Sequence, residues 1–198
     1  MGSLAPRSVR APYVVAPTWQ WDGDDGSWST FAIGVGTPPQ SFRILSSTST
    51  SETWLPTPQG CDGILSGIAD CGSLRGVNSF NNVSSRGFQS NSSSTWSTFG
   101  IHHLTVEHSL FGIDDNGLYG LDTIAVSSAV DGNSSSCASQ TIAGIATTDY
   151  WLGSLGLGIS SANFSTQSEN IPSPPEDDEK SECDPKPVFW IHCWGFLL

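Results

Sequence analysis

Residues 28–45 hold two runs in which large and small side chains alternate. The first is Trp28-Ser-Thr-Phe-Ala-Ile-Gly-Val-Gly36 and the second is Ser41-Phe-Arg-Ile-Leu45, with Thr37-Pro-Pro-Gln40 between them. Alternation of period two sends every second side chain to one face, and paired prolines set the backbone for a reversal. The stretch therefore predicts a β-hairpin with one buried face. Further strand candidates follow at 104–107, at 118–126 beside an Asp114-Asp-Asn-Gly117 turn, and at 141–147. Leu152-Gly-Ser-Leu-Gly-Leu-Gly158 is an apolar run whose small residues let another backbone approach. Residues 57–98 are rich in Ser and Asn and predict long loops. Lys, Glu, Leu and Ala are scarce, whereas 33 Ser and 15 Thr are present. The expected fold class is mainly β.

Only 13% of the 198 residues are charged, 19 acidic against 7 basic, for a formal net charge of −12. A nucleic-acid binder that works by charge needs a basic face to displace counterions, and this chain has none to offer. The same deficit argues against a polybasic membrane-surface protein. No apolar run approaches the roughly 20 residues of a membrane-spanning helix. With 37% hydrophobic residues, including 8 Trp and 9 Phe, there is enough apolar material for the core of one domain or one lobe.

Cys61 and Cys71 are ten residues apart across a stretch containing Gly and Asp, a spacing that suits a small disulfide-closed loop. Free buried thiols are the alternative. A metal site is disfavoured, because no His or second Cys pair stands nearby at ligand spacing. The pairing of Cys137, Cys183 and Cys193 is left open. Asn82, Asn91, Asn133 and Asn163 each begin an Asn-x-Ser acceptor tripeptide for N-glycosylation. Together with the disulfide candidate they favour an oxidising, secretory environment. The first 15 residues carry Arg7 and Arg10 without the apolar stretch of a signal peptide.

The chain divides into three parts. Residues 1–27 read as an irregular arm, with Asp22-Gly-Asp-Asp-Gly26 as a solvated turn. Residues 28–172 form the folded unit. Residues 173–198 hold both lysines, four prolines and the acidic block Glu176-Asp-Asp-Glu179, and end in an apolar tail. That composition predicts a disordered linker. A lipid-anchor signal with Ser181 as attachment site and a misread end of the gene are further readings of this tail.

The order of motifs resembles the amino-terminal lobe of the pepsin-like aspartic proteases (peptidase A1). Phe31-Ala-Ile-Gly-Val-Gly-Thr-Pro-Pro-Gln-Ser-Phe-Arg-Ile-Leu45 is similar to that family's opening hairpin. Phe88-Gln-Ser-Asn-Ser-Ser-Ser-Thr-Trp96, Gly120-Leu-Asp-Thr-Ile-Ala-Val126 and Leu152–Gly158 are similar to later segments in the same order. The family's second strand runs into Asp-Thr-Gly-Ser-Ser-x-x-Trp. Here the slot reads Ser47-Thr48-Ser49-Thr50-Ser51-Glu52-Thr53-Trp54.

The resemblance implies a single pepsin-like lobe and, for an active member, two aspartates that share a proton and hold one water. Ser47 stands where the first aspartate belongs, and a hydroxyl cannot act as a base near neutral or acidic pH. Ser49 stands where the family has Gly. The second aspartate belongs to a carboxy-terminal lobe that lies outside this match. Trp54, Leu110 and Phe111 are candidates for a substrate cleft, the last two standing where the flap is expected. Glu52 reads as a solvated loop carboxylate and Asp122 as a strand residue outside the dyad. His102, His103 and His108 lack a serine elbow for a triad.

The expected function is a catalytically inactive, truncated homologue that binds a peptide or a protein partner. The alternative is an aspartic endopeptidase acting at acid pH, and a third reading is a product without function. No cofactor or metal is expected. Location at the cell surface or outside the cell is implied by the resemblance.

Overall fold

The computed structural model describes residues 13–50, 52–63, 65–104, 116–127 and 134–157, with short strand segments at 164–165, 170–171 and 189–191. The amino-terminal strands are β1 (Tyr13–Val15) and β2 (Pro17–Asp22). The hairpin expected from the alternating runs is present as β3 (Trp28–Val35) and β4 (Gln40–Ser47), in register Phe31↔Ile44, Ile33↔Phe42 and Val35↔Gln40. The remaining strands of the main sheet are β5 (Thr53–Pro56), β6 (Ser97–His103), β7 (Asn116–Ser127), β8 (Ser134–Ile145) and β9 (Ser154–Gly156). They lie in the order β2-β3-β4-β9-β5-β8-β7-β6. A second pairing of β3 with β7, Ile33↔Val126 to Val35↔Ile124, closes the six inner strands into a barrel. Closure removes the exposed edges those six would otherwise present.

α-Helix is confined to α1 (Pro58–Asp62) and α2 (Cys71–Leu74) among the described residues, with one 3-10 turn at Ser90–Ser92. The fold is mostly β, as the composition requires. Three short strands complete the described chain. β10 (Phe164–Ser165) pairs antiparallel with β11 (Asn170–Ile171), and β12 (Phe189–Ile191) pairs parallel with β1.

Three expectations need correction. Residues 17–22 are not an irregular arm: β2 pairs with β3 through Trp21↔Ser29 and Asp22↔Trp28. Residues 189–191 are likewise strand rather than disordered tail. Strand β8 begins at Ser134, seven residues before the compact strand expected at 141, and pairs with β7 from Ser127↔Ser134 to Gly117↔Ile145. Its Ser-rich first half carries no apolar alternation, so the backbone of β7 rather than local preference makes it a strand.

Alternation on β3, β4, β7 and β8 packs Phe31, Ile33, Val35, Phe42, Ile44, Leu55, Ile124, Val126 and Ile142 into the barrel core with Val77 and Phe88. A smaller cluster joins Trp54, Leu104, Tyr119, Ala143 and Ile145. Two charged side chains, Arg43 and Asp22, are buried as a pair. Arg43 donates from Nε and Nη2 to the Asp22 carboxylate at 3.0–3.2 Å, and from Nη2 to the Ser73 carbonyl at 2.7 Å. Asp22 also accepts from the Thr30 hydroxyl at 2.7 Å. The expected solvated Asp turn is thus split: Asp24 and Asp25 are exposed, while Asp22 is drawn inward by Arg43.

Cys61 of α1 and Cys71 of α2 form a disulfide, with Cα atoms 5.8 Å apart and both side chains fully buried. Cys137 is also disulfide-bonded, and Cys183 and Cys193 lie outside the described residues. Replacing Cys61 and Cys71 together by alanine is expected to cost about 2–3 kcal/mol, from the loop entropy returned to the unfolded chain. A urea titration reads this as a lower midpoint at unchanged slope. An unchanged midpoint would remove the bond from the stability of the lobe.

Candidate functional site

Strand β9 is inserted between β4 and β5, and this insertion makes the site. It runs parallel to β4 through Leu45↔Ser154, Ser46↔Leu155 and Ser47↔Gly156, and meets β5 antiparallel at Trp54↔Ser154. β4 and β5 therefore run antiparallel on either side of β9. Leu157 N–H donates to the Ser47 carbonyl at 2.7 Å, and Gly156 N–H to the Thr53 hydroxyl at 3.2 Å. Gly153 tolerates this approach only because it has no Cβ, which would lie 2.7 Å from Ile44 Cγ2 and 2.9 Å from the Trp54 carbonyl oxygen. This contact explains the first glycine of the apolar run.

Ser47 ends β4 half-buried, and its Oγ is 2.8 Å from Oγ of Ser49. Thr48 and Ser49 are exposed, and Thr50 is buried with its hydroxyl accepting from Glu52 N–H at 2.9 Å. The slot therefore presents a pair of neutral hydroxyls, each able to donate and accept a hydrogen bond. Neither has an ionised form between pH 3 and 7, so the pair can bind polar groups but cannot deprotonate water.

Glu52 is not the solvated carboxylate its loop position suggested. It is 2% exposed, and the Tyr119 hydroxyl of β7 donates to its Oε1. The His102 ring stands edge-on to Tyr119, with centroids 5.7 Å apart. Period-two alternation was the available signal, since Glu52 and the core-facing Trp54 share a face. Trp54 is 8% exposed, stands edge-on to Tyr150 with centroids 5.5 Å apart, and belongs to the second core cluster.

Asp122 is buried at the far end of the barrel. Its Oδ1 accepts from the Ser93 hydroxyl at 3.1 Å, the Thr95 hydroxyl and Thr123 N–H at 2.8 Å. These bonds tie turn 93–95 to the hairpin turn, where Thr37 N–H donates to Ser93 at 3.0 Å. That turn lies the whole length of β4 from Ser47, on the order of 20 Å. Asp122 therefore lies far from the Ser47–Ser49 pair.

Asn82 and Asn91 are exposed. Leu110, Phe111, His108, Asn133, Asn163 and Ser181 lie outside the described residues. No group of three or more His, Cys, Asp and Glu among the described residues could hold a metal ion. No helix among them is long and apolar enough to cross a membrane.

Arg75, which sequence reasoning passed over, supports the site from below. It is fully buried, donating to the carbonyls of Thr147 at 2.7 Å, Tyr150 at 2.9 Å and Trp151 at 3.1 Å. Burial lowers its pKa below the ordinary arginine value. Segment 147–151 leads directly into β9, so Arg75 fixes the strand that positions Ser47.

A family model described as eukaryotic aspartyl protease matches residues 30–174, from the opening hairpin through the Ser47 slot to beyond β9. No curated protein matches the chain.

Proposed function

Because the chain belongs to the eukaryotic aspartyl protease family, we propose that it is a non-catalytic member, which uses residues 28–172 as a peptide- or protein-binding lobe. The observation that carries this reading is Ser47. Its hydroxyl lies at the end of β4, 2.8 Å from that of Ser49, and the order of motifs around it supports reading it as the family's aspartate slot. Aspartic proteolysis requires a carboxylate that takes a proton from water while its partner protonates the substrate carbonyl. The Ser47–Ser49 pair supplies neither role, and the neighbouring carboxylate of Glu52 is occupied by Tyr119.

A secretory location belongs to the same reading. The buried Cys61–Cys71 bond needs an oxidising compartment, and the acceptor residues Asn82 and Asn91 are exposed.

The test is turnover. The purified full chain is expected to cleave casein or fluorogenic peptides no faster than buffer between pH 3 and pH 7. Cleavage that is inhibited by pepstatin and co-purifies with folded protein would restore the alternative, an endopeptidase acting at acid pH.

A further inference from the structure

A cavity of about 240 Å3 lies between the start of α1 (Thr57–Gln59), segment 88–92, Trp96, Leu118 and Gly144. Its apolar wall is made by Phe88, Trp96 and Leu118. Phe88 is 3% exposed and meets Trp96 edge-on, with centroids 5.3 Å apart. The rim is made of amides and hydroxyls, among them Gln59, Gln89 and Asn91, and none of the described lining residues is charged. The volume is below the roughly 300–1,000 Å3 of sites for drug-sized ligands, and suits a single ring.

Asn91 is both a lining residue of this cavity and the first residue of the acceptor tripeptide Asn91-Ser92-Ser93. Its side chain is exposed, in the short turn Ser90–Ser92. An N-acetylhexosamine has an apolar ring face and an acetyl methyl on one side and hydroxyls on the other. An aromatic wall under a neutral polar rim matches both. A charged ligand would find no counter-charge there.

We infer that the cavity seats the first N-acetylglucosamine of a glycan carried on Asn91. The amide Nδ2 attacks the anomeric carbon of an oligosaccharide borne on a lipid pyrophosphate. An N–C bond replaces the C–O bond, the lipid pyrophosphate leaves with the electron pair, and Nδ2 gives up one proton. Transfer precedes folding, because in the folded lobe the Ser93 hydroxyl is already bound to Thr37 N–H and Asp122. As the lobe closes, the proximal sugar covers Phe88 and Trp96. This inference rests on the secretory reading above.

The experiment uses the full chain exported from a eukaryotic host, with glycan sites mapped by mass spectrometry. Asn91 is expected to be occupied. Peptide N-glycosidase should release its glycan only after denaturation, while any glycan on the exposed turn at Asn82 should be released from native protein. Trimming to one N-acetylglucosamine with endoglycosidase H should leave the melting temperature unchanged. Asn91→Gln should lower it by about 2–4 °C, and Ser84→Ala, which removes the Asn82 acceptor without changing the residue at its positive φ, should not. Bare Asn91 in exported material whose Cys61–Cys71 bond is formed overturns the inference and leaves the secretory reading standing. A glycan on Asn91 that is released from native protein, with no change in melting temperature for Asn91→Gln, overturns the seating. Retention inside the cell with both cysteines reduced and all acceptors bare overturns the secretory reading and this inference with it.

Discussion

Arg75→Ala is expected to destabilise the lobe by on the order of 3–5 kcal/mol, enough to abolish folding in a marginal domain. Two effects oppose each other at this position. Burial without a carboxylate partner penalises the cation, as its lowered pKa records, and alanine would relieve that penalty. Against it, the carbonyls of Thr147, Tyr150 and Trp151, on half-buried residues, would lose a charged donor, at about 1–3 kcal/mol each. Three orphaned acceptors outweigh one relieved charge. Any side chain at Gly60 would collide with Arg75 Nη1, so the surrounding shell is built around the guanidinium and would not collapse into its absence. Arg75→Lys should recover little, because an ammonium cannot span three carbonyls as a planar fork does. Urea titration measures the loss, and hydrogen exchange should show 147–156 opening first. A loss below 1 kcal/mol for Arg75→Ala would disprove the anchoring role.

Asp22→Ala is the second large effect, expected at about 3–5 kcal/mol, the usual cost of stranding one member of a buried ion pair. Asp22 and Arg43 are each 9% exposed at the side chain, so solvent screens the pair little. The carboxylate also accepts from Thr30, and its removal leaves that buried hydroxyl without this acceptor. Replacing both partners, Asp22→Ala with Arg43→Met, should cost clearly less than the sum of the single changes, since the double variant buries no unpaired charge. The edge strand β2 should lose exchange protection before β3 and β4 do. Strict additivity in this cycle would show that the ion pair contributes no coupling.

How much of this lobe was legible in the sequence depended on how local each feature is. The β3–β4 hairpin followed from alternation around Thr37–Gln40, because side-chain period and turn chemistry act over a few residues. The Cys61–Cys71 bond spans only ten residues, and the hydroxyls of Ser47 and Ser49 are read directly from the sequence. The tertiary structure decided the rest. Glu52 looked like a solvated loop carboxylate until Tyr119, 67 residues later, was brought to its side chain. Trp54 meets Tyr150 edge-on across 96 positions of sequence. Asp22 became a buried partner of Arg43 only when β2 joined the sheet edge. Arg75 found its carbonyls in segment 147–151, and only the insertion of β9 between β4 and β5 made a site of Ser47 and Ser49. Burial of a polar side chain is set by the partner that satisfies it, and here those partners come from distant strands and loops.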